Sequence, residues 1–442
     1  MEAEGVSQTP GVAERDAPQD QGPGKRRKLL QVLGPGLITG ASDDDPSGIA
    51  TYSQAGAQFG YALGWTLLCS WPLMCAIQEI SARIGRVTGR GVAGNLKRHY
   101  PAAALYPLIL MLVGANTINL GADLGAMAAS LGLLIKGPQL LFVALFAVAM
   151  VVAEIFVSYA RYVSVLKWLT LSLFAYVGVV LMVRVPWLTV ARSLVLPQIA
   201  WKADYLTVVV AVLGTTISPY LFFWQAEEEV EETQAREGAE PLTRAPQQAE
   251  PEFARIRLDT YLGMAFSNLV ALSIMVATAA TLGAHGATNI RTSADAAQAL
   301  RPVAGPLVFF VFALGIIGTG LLAAPVLAGS AAYALGEAFG WPVGLSRKPR
   351  RAKAFYGVLA ALMTAGALLN FTPIDPIKAL FWSAVINGVV AAPVMAMMML
   401  LATRKKVMKE FTLPAPLQIA GWAATLVMAA AAVGMIATSW GG

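Results

Sequence analysis

Ser42-Asp43-Asp44-Asp45-Pro46-Ser47-Gly48 sets three consecutive acids, a proline and a glycine inside a long apolar stretch. An ionised side chain at the centre of a bilayer costs about 3 kcal/mol or more. A proline deletes a helical N–H bond, and the backbone groups it frees are tolerated at membrane depth only inside protein or beside a water-lined cavity. The segment therefore predicts a membrane helix interrupted at Asp45-Pro46-Ser47-Gly48 around a cation site. The rest of the chain supplies the membrane setting: its 442 residues are 57% hydrophobic and 13% charged, where soluble domains are about 25% charged.

Apolar runs of about 20 residues, the length that crosses hydrocarbon, begin near Leu29, Tyr61, Ala104, Gln139, Val163, Tyr205, Ile256, Val303, Ala354, Pro376 and Leu413. They predict an all-α, polytopic membrane protein of about 11 transmembrane helices. Residues 1–27 are polar and rich in Gly and Pro, with no apolar core, so they read as a disordered cytoplasmic tail and not as a signal peptide. Residues 28–440 then form a single transmembrane domain. With the N-terminus inside, 25 of the 32 Lys and Arg residues fall on the cytoplasmic side. The positive-inside rule thus predicts a plasma-membrane protein with a cytoplasmic N-terminus and an external C-terminus. The basic residues describe topology, so the lipid bilayer is an expected partner and nucleic acid is not. A monomer or weak oligomer is expected.

A second interruption stands five helices on, at Gly214-Thr215-Thr216-Ile217-Ser218-Pro219-Tyr220. Two broken helices at matching places of two five-helix halves point to an inverted-repeat transporter with its site at the midplane. The repeats fall at about 28–184 and 204–402, followed by an extra helix at about 413–439. The donors on offer are Asp45, with Asp44 or Asp43, then Thr215, Thr216, Ser218 and backbone carbonyls. All are oxygen, which suits Mg²⁺, Mn²⁺ and Ca²⁺ better than later transition metals. The two histidines, His99 and His285, fall in predicted loops, and Met397-Met398-Met399 reads as packing. Pro72, Pro325 and Pro393 read as kinks. Cys69 and Cys75 share one run and suit neither a disulfide nor a metal. Glu79 is expected to pair with Arg83 four residues on. The run Glu227-Glu228-Glu229, with Glu231 and Glu232, is expected to be a solvated helix end.

The run Gly34-Pro35-Gly36, Asp45-Pro46-Ser47-Gly48, Ala50-Thr51 and Ala55-Gly56-Ala57-Gln58-Phe59-Gly60-Tyr61 resembles the first helix of the Nramp divalent-metal transporters, which carry Asp-Pro-Gly-Asn there. The resemblance implies the LeuT-like 5+5 inverted repeat with helices 1 and 6 broken, and a divalent cation as substrate. It places the family's metal-binding Asp on Asp45, its Asn on Gly48 and its carbonyl ligand on Thr215. The family's Met-Pro-His becomes Ser218-Pro219-Tyr220, and a further His becomes Gln225. Asp44, Asn387 and Asp123 complete the candidate metal residues. Of the Asp and Glu that serve proton co-transport in the family, Asp123 matches the first, while Ala126 replaces the second. Losing the soft donor and shrinking two side chains is similar to the Nramp-related magnesium transporter branch. The expectation is Mg²⁺, with Mn²⁺ also carried, moved without proton coupling and with no cofactor beyond the transported ion.

The alternative is a proton-coupled Mn²⁺/Fe²⁺ symporter of the ordinary Nramp type. An amino-acid symporter would want a first break free of carboxylates, since Asp43 to Asp45 repel a substrate carboxylate. An intramembrane enzyme would need a His-Glu-x-x-His or comparable set, which the sequence lacks. No enzymatic activity is expected.

Overall fold

The computed structural model describes residues 39–40, 42–157, 173–290 and 292–440. Among them it is helical, without a strand. The tail expected over 1–27, and the starts of the runs near Leu29 and Val163, lie outside the described residues.

Among the described residues, fourteen α-helices of eight or more residues carry the architecture. The first seven are α1 (Pro46–Phe59), α2 (Gly64–Thr88), α3 (Val92–His99), α4 (Ala102–Gly132), α5 (Gln139–Phe156), α6 (Phe174–Met182) and α7 (Trp187–Val195). There follow α8 (Ala203–Thr216), α9 (Pro219–Ala235), α10 (Ala249–Thr281), α11 (Val308–Phe339), α12 (Lys353–Leu369), α13 (Pro376–Ala402) and α14 (Ala415–Trp440). By length and composition, seven helical segments among the described residues can cross a membrane: α4, α5, α8 with α9, and the segments containing α10, α11, α13 and α14. The apolar α12 has 17 residues, and α2 carries Glu79, Arg83 and Arg86. The described residues therefore do not by themselves give the expected count of eleven.

Two helices are interrupted, each over two residues. Residues 39–40 and 42–43 are helical, the chain opens at Asp44 and Asp45, and α1 resumes at Pro46. In the second case α8 ends at Thr216, Ile217 (φ −123°, ψ 60°) and Ser218 (φ −80°, ψ 132°) leave helical geometry, and α9 resumes at Pro219. The cause is the same in both: proline has no N–H to give, so it suits the first position of a helix, where that N–H would have no partner. This narrows both expected breaks. Pro46, Ser47 and Gly48 belong to the first turn of α1 and not to the gap, and Gly214 to Thr216 complete α8. Pro72, Pro325 and Pro393 stay within unbroken helices.

Small residues let the broken helices meet their neighbours backbone to backbone. A Cβ on Gly214 would stand 2.1 Å from the Ala384 carbonyl oxygen and 2.4 Å from the Gly388 nitrogen, so α8 lies directly on α13. A Cβ on Gly48 would stand 3.1 Å from Thr215 Oγ1, which joins α1 to α8. On the other side of the gaps, Tyr220 Oη donates to the Ser42 carbonyl at 3.3 Å and Thr39 Oγ1 donates to Gln225 Oε1. These bonds join α9 to the residues before α1. Met398 and Met399 are core residues, and Cys69 and Cys75 are free thiols.

Gly214→Val is expected to force α8 off α13 and cost about 2–3 kcal/mol, the upper range for overpacking, because the obstacle is backbone. A fall in the thermal midpoint of the purified protein checks this, with Gly114→Val, where a Cβ meets nothing within 4 Å, as the tolerated control.

Candidate functional site

Asp45 is the hinge of the site. Its backbone is extended (φ −68°, ψ 171°), and its Oδ1 caps α1 by accepting from the Gly48 N–H at 2.7 Å and from Ser47 Oγ at 2.7 Å. An acceptor at this position answers the free N–H groups of the first helical turn and the positive end of the helix dipole. Its other oxygen, Oδ2, accepts from Asn119 Nδ2 on α4 at 2.9 Å, and Asn119 Oδ1 in turn accepts from Ser383 Oγ on α13 at 2.7 Å. Three helices are thus joined through one carboxylate.

Asp43 and Asp44 turn to a different neighbour. Ser267 Oγ on α10 lies 2.6 Å from Asp43 Oδ2 and 3.2 Å from Asp44 Oδ1. The three acids therefore face two helices, and among the described residues no three His, Cys, Asp or Glu side chains converge as a metal cluster. Ser218 Oγ donates to the Gly214 and Thr215 carbonyls at 2.8 and 2.9 Å, which leaves its lone pairs free to accept. Gly48 gives its N–H to Asp45 and its open side to Thr215, so these two expected residues do meet. Tyr220 reaches back to Ser42.

Asp123 and Asn387 stand apart from this network. Both oxygens of Asp123, and both polar atoms of the Asn387 amide, are buried without a hydrogen-bond partner. Neither polar atom of Asn387 bonds a neighbouring helix, and a buried polar atom left without a partner costs about 1–3 kcal/mol. Asp44, Asp45, Asn119, Asp123, Thr215, Ser218, Tyr220 and Asn387 are each no more than 2% exposed, so all eight are buried. Ala126, in the position of the expected second acid, is fully buried.

Asn119, Ser383 and Ser267 were not singled out from sequence. A signal existed: Asn116, Asn119 and Asp123 repeat at helical spacing along the otherwise apolar α4, one polar stripe on a buried face. Asn116 serves structure, donating to the Leu327 carbonyl at 2.8 Å and to Ser330 Oγ at 2.9 Å on α11.

The acidic end of α9 corrects the expectation of a solvated helix. Glu227 and Glu229 are buried. Arg255 on α10 pairs with Glu229 and, at 3.4 Å, with Glu232. Glu252 holds Arg86 at 3.2 Å, Arg255 at 3.1 Å and Arg236 at 2.6 Å. Glu231 accepts from the Leu345 and Ser346 N–H groups at 2.6 and 3.1 Å and from Tyr333. The reason is tertiary: the connection folds back, its Leu242 and Thr243 N–H groups bonding the end of α2, and the first turn of α10 returns beside the last turn of α9. Glu79 does pair with Arg83, at 2.7 Å. His99 closes the short α3 and His285 a 3₁₀ turn, both away from the breaks.

Residues 36–438 match the family described as natural resistance-associated macrophage protein-like, Nramp. The chain belongs to the Nramp family. Among its relatives, the divalent metal cation transporter MntH of Burkholderia ambifaria is 28% identical over 407 residues, covering 90% of this chain and 87% of that protein. The MntH of Verminephrobacter eiseniae is 27% identical, covering 81% and 83%. In architecture this Nramp chain is similar to the manganese transporter of Eremococcus coleocola in complex with an aromatic bis-isothiourea compound. The TM-score is 0.73 at 16% identity, over 95% of this chain and 89% of that one. It is also similar to MhsT in complex with L-phenylalanine, with a TM-score of 0.54 at 14% identity, over 94% and 100%. The fold is the LeuT-like one that the family resemblance implied.

Asn119→Ala is expected to leave Asp45 Oδ2 without its partner, while the Ser383 hydroxyl keeps the Leu380 carbonyl, at a cost of about 1–3 kcal/mol. A lowered thermal midpoint in chelator-treated protein checks it, with Thr364→Ala on the exposed face of α12 unchanged.

Proposed function

We propose that this Nramp protein carries divalent cations, Mg²⁺ first, into the cell by alternating access and without coupled protons. The observation that carries the reading is a carboxylate, Asp45, buried in the first break, with Gly48 three residues on lying against Thr215 just before the second break, where Ser218 keeps lone pairs free to accept. A single carboxylate and neutral oxygens suit an ion that keeps part of its water shell, as Mg²⁺ does. The relatives' name, divalent metal cation transporter, supports the wider class. Asp45, Thr215 and Ser218 are the proposed ligands. Gly48 leaves space beside them, Tyr220 closes one side, and Asp44, Asn387 and Asp123 line the path.

Closure is built differently at the two ends. On one side, Gln54 of α1 holds the Ile290 N–H at 2.9 Å and the Thr288 carbonyl at 3.2 Å, beside a cavity of about 140 Å³ that reaches Ala50, Ile377 and Lys378. On the other side, the Glu and Arg network joins α2, α9 and α10. We assign the first to the outer face and the second to the cytoplasmic face, as the distribution of basic residues implies. Two half-helices at each gap then rock about the fixed site. Ala126 and Gln225, where a proton relay needs titratable groups, support uncoupled transport. The membrane potential supplies about 2.3 kcal/mol per charge per 100 mV, enough to drive a divalent ion into a negative interior.

A second reading, Mn²⁺ or Fe²⁺, is favoured by Met127. Its thioether packs at Gly320 beside Pro46, so a softer donor stands near the break.

In proteoliposomes, Mg²⁺ influx is expected to steepen with negative internal potential and to bring no acidification, and Asp45→Ala is expected to reduce influx to the protein-free level while the protein stays monodisperse. Metal-dependent acidification, read with an internal pH dye, would refute uncoupled transport. Ser218→Met is expected to raise Cd²⁺ affinity about tenfold, equivalent to ~1.4 kcal/mol, in calorimetry. No gain would mean that position 218 does not face the ion.

A further inference from the structure

Beside the last turns of α2 and α11, a cavity of about 460 Å³ is lined by Arg90, Gly94, Lys97, Arg98, Glu337 and Trp341. The three basic side chains are exposed, and none forms an ion pair among the described residues. The one acid in the wall is engaged elsewhere. Glu337 Oε1 accepts from the Gly91 N–H at 2.8 Å and Oε2 from the Gly94 N–H at 2.6 Å, so it caps α3.

Three exposed rings stand next to the cavity in a continuous ladder. Tyr106 is 45%, Phe339 51% and Trp341 38% exposed, with centroids 5.9 Å apart for the first pair and 5.0 Å for the stacked second pair. Arg404 reaches the same corner, donating to the His99 carbonyl at 3.2 Å with its guanidinium 5.4 Å from the Tyr100 ring centre. The His99 imidazole registers the local field: partial burial first, then Arg98, Arg404, Lys406 and Arg90, hold its pKa below the ordinary histidine value.

Aromatic rings with one polar edge settle at the headgroup level of a bilayer, and unpaired Arg and Lys beside them offer charge-assisted bonds to phosphate. We propose that this cavity binds the headgroup of an anionic phospholipid of the cytoplasmic leaflet. The phosphate lies among Arg90, Lys97 and Arg98, and the acyl chains run along Phe339 and Tyr106. Because its walls come from α3 and the end of α11, an occupied site ties these two elements together. The proposal does not depend on the identity of the transported ion.

The test uses the full chain, purified and stripped of lipid, then titrated with phosphatidylglycerol or phosphatidylcholine and read by native mass spectrometry. Wild type is expected to retain at least fivefold more phosphatidylglycerol, and the Lys97→Gln/Arg98→Gln variant to retain the two lipids equally. Trp341→Leu, with every charge intact, is expected to lower phosphatidylglycerol retention at least twofold. Gel filtration confirms that both variants are folded. Equal retention of the two lipids by wild type, or unaltered preference in both variants, would overturn the proposal. So would displacement by millimolar glycerol phosphate, which would make the ligand a soluble anion.

Discussion

A carboxylate buried at the depth of a gap in a helix is the constraint on which this structure turns. Asp45 is held from three directions at once: by the first turn of α1 that it caps, by Ser47 beside it, and by the Asn119 amide across from it. Without those donors a buried anion is untenable, since an unpaired charge in a low-dielectric interior is far costlier than an unpaired neutral group. The carboxylate therefore fixes where α1 begins and how α1, α4 and α13 sit around the gap. Among the described residues no cationic side chain pairs with it, which suits the proposed cation substrate.

The two breaks obey one local rule and produce two different surfaces. Each has a non-helical residue followed by proline at the start of the second half, Asp45-Pro46 and Ser218-Pro219. The first offers charge and the second only hydroxyl and carbonyl dipoles. Glycine at 48 and 214 sets how closely these surfaces meet each other and α13, because backbone obstacles cannot move aside as a flexible side chain can. Donor chemistry and spacing are thus set by different residues, and either can change while the other stays fixed.

Distance from the site also separates polar groups that hold structure from those left uncommitted. At the end of α9, Glu229 and Glu232 pair with Arg255 of α10 and Glu231 accepts from Tyr333 of α11, which makes that end a fastening between helices. On α4 and α13, Asp123 and Asn387 have no hydrogen-bond partner. A folded protein tolerates such groups where they do work that packing does not require, which supports the proposed place of these two on the transport path.

Composition and the run of apolar segments sufficed for the membrane class, the all-helical fold and the two interrupted helices, because hydrocarbon admits few backbone solutions and proline marks where they fail. The motif around Asp45 to Gly48 likewise carried the family. Tertiary structure decided what local pattern leaves open. It moved the first gap to Asp44 and Asp45, since whether a proline sits in a gap or at the start of a helix depends on whether a cap is available. It sent Asp43 and Asp44 to Ser267 and Asp45 to Asn119, a choice made by helices that are 74 to 224 residues away in the chain. It also buried the acids of α9 against Arg255, because a charged run reads as solvated until the element that neutralises it is folded back alongside.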